Sequence, residues 1–359
     1  MLKTSIALLV VAFASLTLCS LLECGGGLSD RGVQGLFEGL VAGEDLYPYR
    51  MRLTENLIAD SCPVFVQGGK SIVYAAEMEM EVEDDGLFRK RKTLCSQLFL
   101  LDLETGEKRK LSEEGWFDQF PKPSWDGDKV TFQSRKESTN SPPGLYCIDL
   151  PSGRRSSLAS YFVCGTTPAF GPGDSLCVFI SHGKGVCLLD LPGGGERNIY
   201  YRSGLFRWRR LPELPDMPSF SPDGRKIVFE SGLTRKCIFI MNSDGRNIKL
   251  LTPHGENCFH PTFSPEGKGV LFVSDYNGSD NLYSLSLSDM RLMQITFDDS
   301  DKAYPSFSPN GAKIVFSSKP KESDDYYYDI FIISKEPLNL SPAMEDFQAS
   351  AEKQANLKS

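Results

Sequence analysis

Asp60, Asp118, Asp216, His260, Asp301 and Tyr304 are the residues whose types and spacing come nearest to a chemical site, each lying a few residues ahead of an apolar run that recurs along the chain. Carboxylates that converge could hold a hard cation such as calcium, which takes several oxygen ligands. A cation held that way would suit binding of a saccharide or small metabolite, or metal-dependent hydrolysis of the lactonase kind. The same residues also read as ordinary solvated rim. No motif demands a cofactor or a resident metal, and no catalytic residue is assigned. There is no Gly-x-Ser-x-Gly elbow, no glycine-rich phosphate loop and no His-Glu-x-x-His or Cys-x-x-Cys run. The histidines are His182, His254 and His260 alone. Cys258 lies near His260, but two ligands do not make a zinc site.

A second candidate is a contact surface. Arg202, Phe206, Arg207, Trp208, Arg209 and Arg210 gather guanidinium and large aromatic groups in one connection of an acidic chain. These residue types are enriched where proteins bind proteins. The competing reading is a loop whose Phe206 and Trp208 pack down on the body. A third feature is an acidic run, Glu77 to Glu83, followed by Asp84-Asp85-Gly86 and the basic run Arg89 to Lys92. The turn residues between opposite charges predict an extended hairpin with cross-strand charge pairs.

The partner class is narrowed by charge. With 39 basic and 47 acidic residues the formal charge is -8, a poor start for gripping nucleic acid or an anionic membrane face. Residues 1–24, with Lys3 ahead of an apolar run from Ser5 to Leu22, read as an export segment. Three fates are open: lipidation at Cys24 or Cys19, with Gly25-Gly26-Gly27 as a tether; simple cleavage; or retention as an anchor. The expected location is the periplasm or outer surface of the cell envelope, with membrane contact only through that N-terminus. Eight further cysteines could bridge in an oxidising compartment, Cys177 with Cys187 being the first pair to test, or could pack as small hydrophobes.

The elements that position these residues form a repeat. Phe220-Ser221-Pro222-Asp223-Gly224, Phe263-Ser264-Pro265-Glu266-Gly267 and Phe307-Ser308-Pro309-Asn310-Gly311 open three copies of one unit, each followed by an apolar run such as Ile227-Val228-Phe229. Looser copies begin near Val64, Ser124 and Ala169. The prolines Pro63, Pro123, Pro168, Pro218, Pro261 and Pro305 mark six units. Serine, proline, an acid and glycine make a tight reversal, and the polar and apolar runs after it predict four antiparallel strands per unit. A sheet of this kind cannot cover both faces alone, so six would stack radially. The predicted fold is all-β, a six-bladed β-propeller over 49–341, with a tether at 25–48 and a polar tail at 342–359. Tyr49 to Thr54 is the favoured strand to close the ring, with Pro337 to Ser341 the rival.

These repeats resemble the TolB-type, WD-like Pro-Asp propeller repeats of bacterial envelope proteins, most closely in the last three units and in Asn281-Leu282-Tyr283 and Asp329-Ile330-Phe331. The resemblance implies the fold and an envelope setting rather than an activity. TolB carries an α/β domain ahead of its propeller, for which 25–48 leaves no room, so the resemblance does not carry TolB's own partners across. The combined expectation is a non-enzymatic platform for envelope proteins, with a ligand or cation at the channel mouth as the alternative.

Overall fold

The computed structural model describes residues 36, 40–42, 46–54, 59–83, 90–136, 142–158, 165–181, 184–191, 194–200, 214–319 and 327–338, with 41, 79–83 and 90–94 described by backbone alone. Six antiparallel sheets of four strands run in chain order. Their first strands are Asp60–Val66, Trp116–Pro123, Gly165–Phe170, Pro215–Phe220, Cys258–Phe263 and Asp301–Phe307. Each of these touches the first strand of both neighbouring sheets, the sixth returning to the first. The first strands therefore line an axis, and the sheets are six blades around it.

Hydrophobic burial is organised by this arrangement. Second strands such as Ile227, Val228 and Phe229, or Val270, Leu271 and Phe272, are completely buried. Both faces of each blade must be covered, which is why these runs are apolar without alternation. The buried residues fall into six clusters, one at each junction between blades. Phe65, Tyr74 and Ile332 meet between blades 1 and 6, and Leu145, Phe179 and Leu189 between blades 2 and 3.

The expected closure is present. Tyr49–Arg52 forms the outer strand of blade 6, antiparallel to Asp329–Ser334, with Tyr49 opposite Ser334 and Arg52 opposite Phe331. A strand from the start of the propeller thus completes the last blade. Part of the stretch read as a tether belongs to the ring instead: Val41–Ala42 pairs in parallel with Leu292–Gln294 as a fifth strand of blade 5, and Leu36 is buried between blades 4 and 5. The long hairpin of blade 1 also forms, Ser71–Glu83 against Lys90–Asp102, with Glu81 opposite Lys92 and Glu83 opposite Lys90.

The turn after each first strand follows from its sequence. Ser221 Oγ donates to Asp223 Oδ1 at 2.6 Å and accepts the Lys226 N–H at 2.9 Å. Gly224 takes φ 68°, a region that favours glycine. A Cβ there would lie 3.2 Å from Pro172 in the turn of the preceding blade. Gly267 meets Pro222, Gly311 meets Pro265, and Gly69 meets Pro309 in the same way. The turns interlock around the ring, and the Gly69 contact joins the first blade to the last.

Among the described residues seven cysteines are free and buried: Cys62, Cys95, Cys147, Cys177, Cys187, Cys237 and Cys258. The Cys177 to Cys187 bridge does not form. Register explains this, because Cys177 faces Leu189 while Cys187 faces Phe179, leaving the two thiols diagonal rather than opposed. Burial holds Cys177 and Cys187 protonated, pushed up to about 12.

Candidate functional site

Every first strand carries a register break at the same place: between Ser61 and Val64, Gln119 and Lys122, Thr166 and Ala169, Asp216 and Ser219, Phe259 and Thr262, and Ala303 and Ser306. At each break one residue stands at positive φ ahead of a proline. These are Cys62, Phe120, Thr167, Met217, His260 and Tyr304, with φ from 48° to 55°. Non-glycine residues rarely adopt this conformation, and six at equivalent positions mark a designed bulge that re-aims side chains. The repeat proline of blade 2 is therefore Pro121, which follows Phe120, rather than Pro123.

The bulge sorts the residues that the sequence singles out. Asp118, Asp216, His260 and Tyr304 lie within first strands rather than in the loops ahead of them, because the strands begin upstream of the proline. Asp60 and Asp118, two residues before the bulge, are fully buried. Asp60 donates its N–H to the Tyr328 carbonyl at 2.7 Å, across the seam between blades 1 and 6. Asp118 Oδ2 accepts from Arg155 at 2.9 Å and from Ser112 at 2.7 Å, and Oδ1 accepts from Ser134 at 2.5 Å. The Arg155 guanidinium also lies 4.3 Å from the Trp116 ring centroid and 4.6 Å from that of Tyr146. This network ties the inner strand of blade 2 to its outer strand.

Asp216 accepts from Thr167 Oγ1 at 3.1 Å. Asp301 accepts from the Asp280 N–H at 3.5 Å, and burial beside Asp301 and Asp275 raises the Asp280 carboxyl to about 6. The carboxylates are thus spread over separate partners. Among the described residues no group of three or more His, Cys, Asp or Glu is arranged to hold a metal.

His260 and Tyr304 do come together. Their rings stack with centroids 3.8 Å apart, and His260 Nδ1 accepts the Tyr304 N–H at 3.2 Å. A backbone N–H only donates, so the histidine proton sits on Nε2. Burial and the charges of Lys236 and Lys122 hold the ring neutral. With its lone pair occupied, His260 does not serve as a general base here. Glu230, fully buried, accepts from Lys236 and from the His260 N–H at 2.5 Å; burial raises its carboxyl despite Lys236.

Cys62, Phe120, Lys122, Met217 and Tyr304 line the narrow cavity on the axis. The space open to the centre of a water molecule is about 20 Å³, room for one or two waters and too little for a sugar. For Cys62, Phe120 and Met217 the signal was the amino acid immediately before each repeat proline, a position the carboxylates do not mark.

A different feature marks the outside. In an antiparallel blade, the connection into the first strand and the one between second and third strands share a face, here termed the loop face; the interlocked turns occupy the other. Leu214, Leu233, Tyr276, Phe297 and Tyr327 are exposed, and all lie in loop-face connections of blades 4 to 6. Leu233 is 73% exposed. Arg202, Phe206, Arg207, Trp208, Arg209 and Arg210 fall outside the described residues, as do Cys19 and Cys24.

Six four-stranded blades around a narrow channel define the class: a six-bladed β-propeller. Residues 210–341 match the family described as the TolB beta propeller domain. A 52-residue stretch is 42% identical to the Tol-Pal system protein TolB of Wolbachia pipientis subsp. Culex pipiens (strain wPip), covering 14% of this chain and 12% of that protein. The proteins of Wolbachia sp. subsp. Drosophila simulans (strain wRi) and Wolbachia pipientis wMel match over the same shares at the same identity. The matched stretch spans about an eighth of these relatives' length. Among solved structures, TolB from Acinetobacter baumannii aligns with a TM-score of 0.55 at 18% identity, over 71% of this chain and 59% of that one. The propeller domain of the Trilobed protease from Pyrococcus furiosus aligns at 0.52 and 12% identity, over 80% of this chain and all of that one. At such identities the likeness is one of fold.

Proposed function

We propose that this chain is a non-enzymatic propeller of the bacterial cell envelope that docks a protein partner on the loop face of blades 4 to 6. The observation that carries the reading is the concentration there of Leu214, Leu233, Tyr276, Phe297 and Tyr327, five of the eight large hydrophobic residues exposed among those described. Single exposed apolar residues are unremarkable, whereas several on one surface mark interaction sites. Aromatic residues also anchor protein contacts at low entropic cost. Arg202 to Arg210 lie shortly before Leu214 in sequence, in the same connection, and add cationic and aromatic residues to it. The relatives' name, a protein of the Tol-Pal system, supports work alongside other proteins. Export through residues 1–24, with Cys24 or Cys19 as lipid anchor, is the route this reading assigns to the envelope.

The channel supports no enzymatic alternative of equal weight. Cys62 is held protonated at about 12 by burial, and His260 has no free lone pair. Affinity capture from solubilised envelopes tests the proposal. Leu233→Asp combined with Tyr276→Asp should abolish recovery of the partner, while Trp125→Asp on the turn face should leave it intact. The reverse pattern would overturn the docking assignment.

A further inference from the structure

We propose that the loop face of blades 4 to 6 receives a cationic segment of its protein partner, one in which lysine or arginine stands beside large apolar side chains. The inference rests on docking at that face and adds the chemistry of what docks there.

Hydrogen bonds lace the loop-face connections of these three blades into one surface. Arg235 Nη1 donates to the Gly255 carbonyl at 2.6 Å and the Lys236 N–H to Asn257 Oδ1 at 2.9 Å, which joins blade 4 to blade 5. The Asn257 N–H donates to Asp275 Oδ1 at 3.1 Å, and the Asp275 N–H returns a bond to the Asn257 carbonyl at 3.3 Å. The Lys302 N–H donates to the Asp280 carbonyl at 2.9 Å and the Asp280 N–H to Asp301 Oδ1 at 3.5 Å, which joins blade 5 to blade 6. Leu233, Tyr276 and Phe297 stand exposed on these laced connections. The apolar anchors are therefore held in fixed relation before a partner arrives, which lowers the ordering cost of binding.

The charge left over on that surface is negative. Glu256, Asp275, Asp280, Asp299 and Asp301 lie in the same connections as the exposed apolar residues. Among the described residues none of these five acids makes an ion pair. Asp298 differs, being taken up by Lys302 at 2.7 Å and by Arg50 at 2.5 Å. Lys236 is likewise paired with Glu230. The described cations that remain are Arg235, on the Gly255 carbonyl, and Lys319, 5.3 Å from the Tyr328 ring centroid, so the carboxylates outnumber them. Crowding is sharpest at the seam of blades 5 and 6, where burial, Asp301 and Asp275 raise the Asp280 carboxyl to about 6. A partner's cation beside Asp280 relieves that repulsion. Aromatic rings next to unpaired carboxylates suit lysine and arginine, whose apolar stems cover rings while their heads meet the acids. An acidic segment would meet like charge.

The test selects a phage-displayed library of random short peptides on the purified protein. Enriched peptides should carry lysine or arginine beside aromatic or aliphatic residues. A selected peptide should bind the triple variant Asp275→Asn, Asp280→Asn, Asp299→Asn about tenfold more weakly, and Asp244→Asn with Asp289→Asn, on the turn face, as tightly as the wild type. Raising sodium chloride from about 50 to about 500 mM should weaken wild-type binding about tenfold, a measurement that serves should the triple variant fail to fold. Neutral or acidic peptides that lose binding on Tyr276→Asp would overturn the cationic assignment and leave docking standing. Basic peptides that bind the triple variant unchanged, or that ignore salt, would overturn it too, as would a library that yields no binder. Peptides indifferent to Leu233→Asp and Tyr276→Asp would remove docking at this face and the inference with it.

Discussion

The two faces of the propeller are built from the same repeats and treat them oppositely. On the turn face the sequence of blades 4 to 6 is monotonous: serine, proline, an acid or amide, glycine. Gly69, Gly224, Gly267 and Gly311 each pack on the proline of the preceding turn, as Gly224 does on Pro172. On the loop face no two connections match, and Leu214, Leu233, Tyr276, Phe297 and Tyr327 stand exposed. Repetition is what closing a ring requires, because each blade must present the same edge to the next. Departure from repetition, where no packing demands it, is where a partner can be recognised.

That contrast can be broken from the sealed side first, where effects are largest. Asp118→Asn strands the buried Arg155 guanidinium without its anion, and chemical denaturation should show a loss of about 3–5 kcal/mol. Arg155→Met should cost a similar amount by exposing the complementary defect. If either variant is as stable as the wild type, the blade 2 network does not hold its strands together.

A smaller effect is expected on the turn face. Gly224→Val forces a β-branched residue to φ 68° with its Cβ against Pro172, which should cost about 1–3 kcal/mol and leave partner capture unchanged. A loss of binding without a loss of stability would place function on the turns instead.

The third prediction concerns pH. Asp280 titrates near 6 in the folded protein because burial and Asp301 disfavour its charge, while in the unfolded chain it titrates near the ordinary aspartate value of about 3.9. Between those values the folded state holds the proton and the unfolded state does not, so this group makes stability fall as pH rises through that window. Asp280→Asn should flatten that part of the stability profile and stabilise the protein at neutral pH. An unchanged slope would show that Asp280 is ordinarily solvated. Smallest of all, Leu233→Asp should change stability by no more than about 0.5 kcal/mol, which separates a docking residue from a packing one.

Much of the architecture was legible because its causes are local. The Phe-Ser-Pro-Asp-Gly reversals, the unbroken Ile227-Val228-Phe229 run and the Tyr49 to Thr54 strand all state their roles within ten residues. The candidate site was harder to read because its causes are not local. Asp118 resembles a rim carboxylate until Arg155 is seen beside it, a pairing made only when the outer strand of blade 2 folds back over the inner one. The Cys177 and Cys187 spacing suggests a bridge, and a register offset removes it. Val41–Ala42 carries no strand signal of its own and pairs because blade 5 leaves an edge free. The bulge was within reach, since Cys62, Phe120, Thr167, Met217, His260 and Tyr304 all precede a proline. Their chemical diversity hid their equivalence, which is a property of the backbone.

The most direct test of docking on the loop face is site-specific photo-crosslinking in intact cells, with a benzophenone amino acid placed singly at Leu233, Tyr276, Phe297, Leu46 or Trp125. The first three positions, on the loop face of blades 4 to 6, should yield a common adduct to one partner, and Leu46 and Trp125 should yield none. An adduct that forms from Trp125 or Leu46, with none from Leu233, Tyr276 or Phe297, would contradict the account.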